Sequence, residues 1–302
     1  MGNRITARQA RAWSLGALSA PAAMALAGLC WTWVLLGGTL AACVLLAMGR
    51  LLRRTGCGLP AAFTLAFGRA GGTIAAGLEL LWLLAALACG KGGRRAAAAS
   101  GVLTLVLTLL YSIIVLTSLR HLRPDWCKPW GSAVDAGMSL CVGLSPACVL
   151  FASQPESERC GGGWGCAALA ALAPAILALI TAGCLSPELA RVSKLPLYTL
   201  TKSLSVLSVM ERFEPLLSVS LMLGLFLLLT AIICAAGDLM PLIGGAKQAD
   251  HGTAAFCLLA FAGSLGADRV PVVCWAIGAA TFWGILPVLT LVIVDIKKIK
   301  KF

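Results

Sequence analysis

Apolar stretches of 18 or more residues recur along nearly the whole chain, and nothing else in the sequence limits its fold so strongly. Wound as a helix rising about 1.5 Å per residue, each stretch reaches across a hydrocarbon core about 30 Å thick. The runs are rich in Leu and Ala and lack period-two alternation, which argues against an outer-membrane barrel. Composition agrees. Of 302 residues, 60% are hydrophobic and 12% are charged, with a mean hydropathy of +0.94. A soluble domain carries about a quarter charged residues. The expected fold is all-α, a polytopic transmembrane helical bundle forming one domain over residues 1–302.

The net charge of +12 is distributed as membrane anchors rather than as a nucleic-acid surface. Basic residues cluster between apolar runs: Arg4, Arg8 and Arg11; Arg50, Arg53 and Arg54; Lys91, Arg94 and Arg95; Arg120, Arg123 and Lys128; and the tail Lys297, Lys298, Lys300 and Lys301. Juxtamembrane topology signals are placed this way, and no basic domain stands apart to bind phosphates. Most of the thirteen cysteines, among them Cys30, Cys43, Cys141, Cys184 and Cys234, lie in or beside apolar runs, where Cys acts as a small hydrophobe. Cys160 and Cys166 flank a glycine-rich loop and can pair. Two distant histidines, His121 and His251, do not suggest a zinc site. The N-terminus resembles a signal peptide, with small residues at Ala20 and Ala22. The apolar run continues to about Ala47, however, so it reads as mature membrane structure.

Nine spans are expected. Residues 12–49 are too long for one and fit a tight hairpin, with Trp31 and Trp33 at its middle as interfacial anchors. Residues 50–70 read as a basic loop with a short amphipathic piece around Phe63 and Phe67. Further spans fall near 71–90, 96–119, 131–152, 164–185, 215–236 and 271–294, with a weaker segment at 253–267. Residues 186–214 are more polar and contain Pro187 and Pro196, which suits a loop with a short interfacial helix. Both basic termini favour the cytoplasm, which requires an even number of crossings; a re-entrant or tilted 253–267 would leave eight.

No soluble-type catalytic motif is present. Gly90-Lys91-Gly92-Gly93 lacks the remainder of a phosphate-binding loop, and neither a His-Glu-x-x-His element nor a Ser–His–Asp set can be assembled. The one catalytic alternative is an intramembrane enzyme using Asp135 or Glu79, and the chain is read as a non-enzyme without cofactor or metal. Interruptions inside spans are more informative. One is Ser14 to Pro21, containing Gly16, Ala17 and Ser19; the other is Gly143-Leu144-Ser145-Pro146. Proline removes a donor, and small residues let a helix or a ligand approach the backbone. Two such interruptions in corresponding positions point to a solute site. Asp135 and Glu79 lie near span boundaries and suit a polar cavity. Glu211-Arg212-Phe213-Glu214-Pro215 opens a strong span, as an interfacial cap or as a salt-bridged gate.

Three landmarks carry a family resemblance. They are Ile5-Thr6-Ala7-Arg8-Gln9 followed by Gly16 and Pro21, the stretch from Pro60 to Gly68, and the segment from Pro196 to Glu214 with its Glu211-Arg212 pair. In order and spacing they resemble the endospore germination permeases, the B-type subunits of nutrient germinant receptors, within the amino acid–polyamine–organocation superfamily. The resemblance implies two inverted five-helix repeats of the LeuT type and a ligand held at broken first and sixth spans. Matched by position, these are Gly16, Ala17, Ser19 and Pro21, and Gly143, Ser145 and Pro146. It further implies a small nutrient such as an amino acid as ligand, other germinant receptor subunits as partners, and residence in a spore or bacterial cell membrane among lipid. The family pattern has ten spans, so this chain is expected to be a shortened version, with the missing span between residues 90 and 130. The rival readings are a secondary amino-acid transporter and a non-transporting membrane scaffold of the same fold.

Overall fold

The computed structural model describes residues 7–56, 58–88, 96–147, 163–193, 195–203, 214–244, 249–264 and 271–299. These are mainly helical, and no strand occurs among the described residues. In chain order the helices are α1 (Ala7–Pro21), α2 (Trp31–Thr55), α3 (Leu59–Ala88), α4 (Ala96–Ser118), α5 (Ala133–Leu144) and α6 (Gly163–Leu185). They continue with α7 (Pro187–Val192), α8 (Pro196–Ser203), α9 (Glu214–Gly244), α10 (Ala249–Ser264), α11 (Val272–Gly278) and α12 (Leu286–Ile299). Two π-helical turns are inserted: Ala22–Leu26 continues α1, and Ala279–Ile285 joins α11 to α12.

Four helical stretches are long and apolar enough to cross a membrane: Trp31–Thr55, Thr104–His121, Leu217–Ile243 and Val273–Lys297. Shorter apolar helices cover Ala12–Leu26, Ala133–Leu144 and Ala171–Leu185. Large apolar side chains stand on the outside of the bundle, including Met222 at 74%, Leu258 at 72% and Leu105 at 67% exposure. In water such a surface is unfavourable by about 25 cal/mol per Å², whereas against lipid tails it carries no penalty. The chain is a helical membrane bundle.

Close approach at small residues organises the packing. α2 lies against both α5 and α6. A side chain at Gly37 would collide with the Ala136 carbonyl of α5, and one at Gly38 would come within 2.9 Å of the Ala171 Cα of α6. Across the first contact the Ser139 hydroxyl donates to the Val34 carbonyl at 2.7 Å. α1 packs between α4 and α9. There the Trp13 indole N–H donates to the Leu227 carbonyl at 2.9 Å, and the Thr104 hydroxyl donates to the Ala12 carbonyl at 2.7 Å. The largest core cluster joins α3, α9, α10 and α12 with Trp13, Ala41, Met48 and Leu144.

The hairpin over 12–49 is present, turning at residues 27–30. The Trp31 indole donates to the Cys127 carbonyl at 2.9 Å at that end of the bundle. Three expectations need correction. Residues 50–70 are mainly helix: α2 runs through Arg54 to a left-handed Gly56 cap, and α3 starts at Leu59. Within α3, Gly68 adopts φ 74° and divides an entry piece from the long inner piece, a conformation that glycine takes without a Cβ penalty. The first span is not broken at Gly16–Pro21, because α1 stays helical through Pro21 and then widens into the π turn. The proline lacks a donor, and the chain absorbs the loss by changing its winding rather than by opening. The span read at 215–236 extends to Gly244 as a 31-residue helix, about 46 Å long. α10, with 16 residues, reaches only about 24 Å, in keeping with its reading as a weak span.

Candidate functional site

The first predicted site segment is filled by its neighbours. Ala17 is fully buried, and a side chain at Gly16 would collide with Leu227 of α9 and press on the Thr104 hydroxyl. The Ser19 hydroxyl donates to the Gly16 carbonyl at 2.7 Å, and Ser19 lies so close to Gly224 that a Cβ there would sit 2.6 Å from its Oγ. Pro21 is half-buried at the entry to the π turn. Small residues serve here to bring α1 and α9 together.

The second segment is an interruption as expected. α5 ends at Leu144, and Ser145 and Pro146 form a buried turn. A Cβ at Gly143 would stand 2.7 Å from the Ala41 Cβ of α2. The Ser145 hydroxyl is buried and has no hydrogen-bond partner. Leu18 of the first segment and Val142, which precedes the second, belong to one apolar cluster with Ala22 and Leu26.

Asp135 has a local task. With Ser132 it forms a capping box at the start of α5: the Ser132 side chain accepts from the backbone at Asp135, and the Asp135 carboxylate accepts from the Ser132 N–H at 3.5 Å. Such a box satisfies the free donors of a helix N-terminus. Glu211 and Arg212 lie outside the described residues, as does Cys160.

Glu79 is different. It lies on the inward face of α3, between Ala76 and Leu83, each of them 0% exposed, and it is itself 0% exposed. Neither carboxyl oxygen has a hydrogen-bond partner. One turn further on, Trp82 stacks on Phe282 with ring centroids 5.6 Å apart and meets Trp283 edge-on at 5.6 Å. Trp275 closes the group at 5.7 Å from Trp82. The indole N–H groups of Trp82 and Trp283 are also buried without partners. Leu144, next to Ser145, belongs to the same large core cluster as Trp82 and Trp283, and a Cβ at Gly284 would stand 3.6 Å from its Cδ1.

Around Trp82, therefore, a carboxyl group one turn away and two indole donors are buried and unsatisfied, and the Ser145 hydroxyl in the turn after α5 is buried and unsatisfied as well. A buried polar group without a partner costs about 1–3 kcal/mol, more if charged, and native proteins contain few of them. Trp283 sits in the π turn, and π turns are frequent at functional sites. Of this group the sequence reading identified Glu79 and Ser145 but not Trp82, Trp275, Phe282 or Trp283. The three-residue spacing of Glu79 and Trp82 on one helix was the available signal; the α3 to α11–α12 contact is tertiary. At the Trp31 end, Cys127 lies in a 3₁₀ turn outside the spanning helices, and burial pushes its thiol up. No protein-family model matches the chain, and no curated protein matches it.

Proposed function

We propose that this chain is a permease-like membrane protein of the spore germination type, which binds a small nutrient such as an amino acid among its helices. On this reading it signals to partner receptor subunits and is a shortened, nine-span form of the inverted-repeat fold, residing in a spore or bacterial cell membrane. The observation that carries the proposal is the break at Ser145-Pro146 inside the bundle, where a buried hydroxyl has no protein partner. Broken helices at membrane depth are tolerated where a cavity or protein satisfies the freed groups, and they are recurrent sites of solute binding. A ligand there acts by binding one helix arrangement more tightly than another.

The test is thermal stabilisation of the detergent-purified protein across an amino-acid panel. A binder at a hundred times its Kd adds about 2.7 kcal/mol of stability. A bulky residue at Ser145 is expected to abolish the response, and an unchanged response would remove the site assignment. Uptake of labelled amino acids into proteoliposomes separates transport from sensing. The second reading, a scaffold that has kept the helices and lost the site, is supported by the filled space at Gly16 and Ser19. Absence of stabilisation by every member of the panel would favour it.

A further inference from the structure

We infer that Glu79, with Trp82 and Trp283, forms an intramembrane site for a small ammonium-bearing solute. The inference rests on the solute-binding reading above and moves the centre of recognition away from the Gly16–Pro21 segment. The Glu79 carboxyl, once ionised, is acceptor-only, and no described side chain donates to either oxygen. A carboxylate deep in a bundle is stabilised by a cation, and among the described residues none pairs with it. The rings of Trp82, Trp275, Phe282 and Trp283 gather one helical turn along α3 from Glu79. Aromatic faces attract organic cations by about 0.5–2 kcal/mol, the more so where water is excluded.

The unsatisfied donors narrow the ligand further. The indole N–H groups of Trp82 and Trp283, whose rings meet edge-on, are buried and unpaired. Donors of this kind suit an anionic oxygen, so a zwitterion matches both halves of the set: its ammonium faces Glu79 and its carboxylate faces the indole donors. Trp283 lies in the π turn, where a change in winding would shift its ring and carry occupancy into α12.

The experiment uses the full chain in detergent with three probes: alanine, a zwitterion; ethylamine, an ammonium alone; and propionate, a carboxylate alone. Alanine and ethylamine are expected to raise Tm, and propionate to leave it unchanged. Glu79→Gln keeps the shape and removes the charge, and it should weaken both binders at least about tenfold. Trp283→Phe should weaken alanine but not ethylamine. Should Glu79→Gln fail to fold, Glu79→Asp keeps the charge on a shorter arm and is expected to weaken both binders. Equal binding by Glu79→Gln or Glu79→Asp, or equal binding of propionate and ethylamine, would overturn this site while leaving solute binding intact. No response to any probe would overturn this site, while solute binding stands or falls separately on the amino-acid panel.

Discussion

The Lys297 ammonium donates to the Ala66 carbonyl at 2.5 Å and to that of Leu65 at 3.2 Å, at the point where Gly68 ends the entry piece of α3. A cation at a helix C-terminus satisfies carbonyls left without an i+4 donor and complements the dipole. The end of the last helix is thereby tied to the entry piece of α3, and Arg54 pairs with Asp295 at 3.6 Å. Lys297→Met is expected to destabilise the bundle by about 0.5–1 kcal/mol, read as a lower unfolding midpoint in detergent. Lys297→Arg should retain most of the stability. Equal midpoints for the Met and wild-type proteins would refute the tie.

The α2 interface offers a sharper effect. A Cβ at Gly37 would meet the Ala136 carbonyl and lie 2.8 Å from the Ser139 Cβ, both on the rigid backbone side of α5. Gly37→Ala should cost about 1–3 kcal/mol by overpacking, despite the better helix propensity of Ala. By contrast, a Cβ at Gly49 would meet nothing within 4 Å outside its own turn of helix, and Gly49→Ala should be neutral or stabilising. Similar effects at the two positions would contradict the packing.

Trp13 anchors α1 to α9 through its indole N–H and the Leu227 carbonyl. Trp13→Phe keeps most of the buried ring and loses that bond, so a loss of about 0.5–1.5 kcal/mol is expected. The same change should leave the binding of alanine intact, since the indole belongs to packing and not to the site. Unfolding and ligand titration of one preparation provide both readouts.

Asp135 is predicted to be structural. Asp135→Ala removes half of a capping box and should lower stability by about 0.5–2 kcal/mol without altering ligand response. A selective loss of response at unchanged stability would instead place Asp135 in a cavity or gate.

The two ends of α2 define opposite faces. Its 25 residues extend about 38 Å, with Trp31 bonded to the Cys127 carbonyl at one end and Arg53 and Arg54 at the other. In a background lacking the other cysteines, an impermeant maleimide should reach Cys127 from one side and an Arg53→Cys variant from the other. Because burial pushes the Cys127 thiol up, its thiolate fraction is small at neutral pH, and its labelling should accelerate as pH rises. Labelling of both positions from the same side would show that α2 does not cross.

The apolar runs alone determined that this chain is a bundle of membrane helices, because a backbone in lipid must satisfy its own polar groups and a helix does so locally. The hairpin turn before Trp31 was legible because the apolar run over 12–49 is too long for one span, and the interruption at Ser145-Pro146 because proline and small-residue signals act within one turn of where they stand. The continuation of α2 and α3 through residues 50–70 was less visible, since the basic residues there suit a helix end as well as a loop, and the Lys297 cap comes from far along the chain. Gly16 and Ser19 carried the same local signal as Gly143 and Ser145, yet Leu227 and Gly224 of α9 decided that the first pair serves packing. Likewise the sequence marked Glu79 as an ionisable residue in an apolar run. Trp82 one helical turn away was legible with it, but only the tertiary structure packed Trp275, Phe282 and Trp283 against that ring. Helix formation depends on neighbours a turn away, whereas the composition of a site depends on which faces of distant helices pack together.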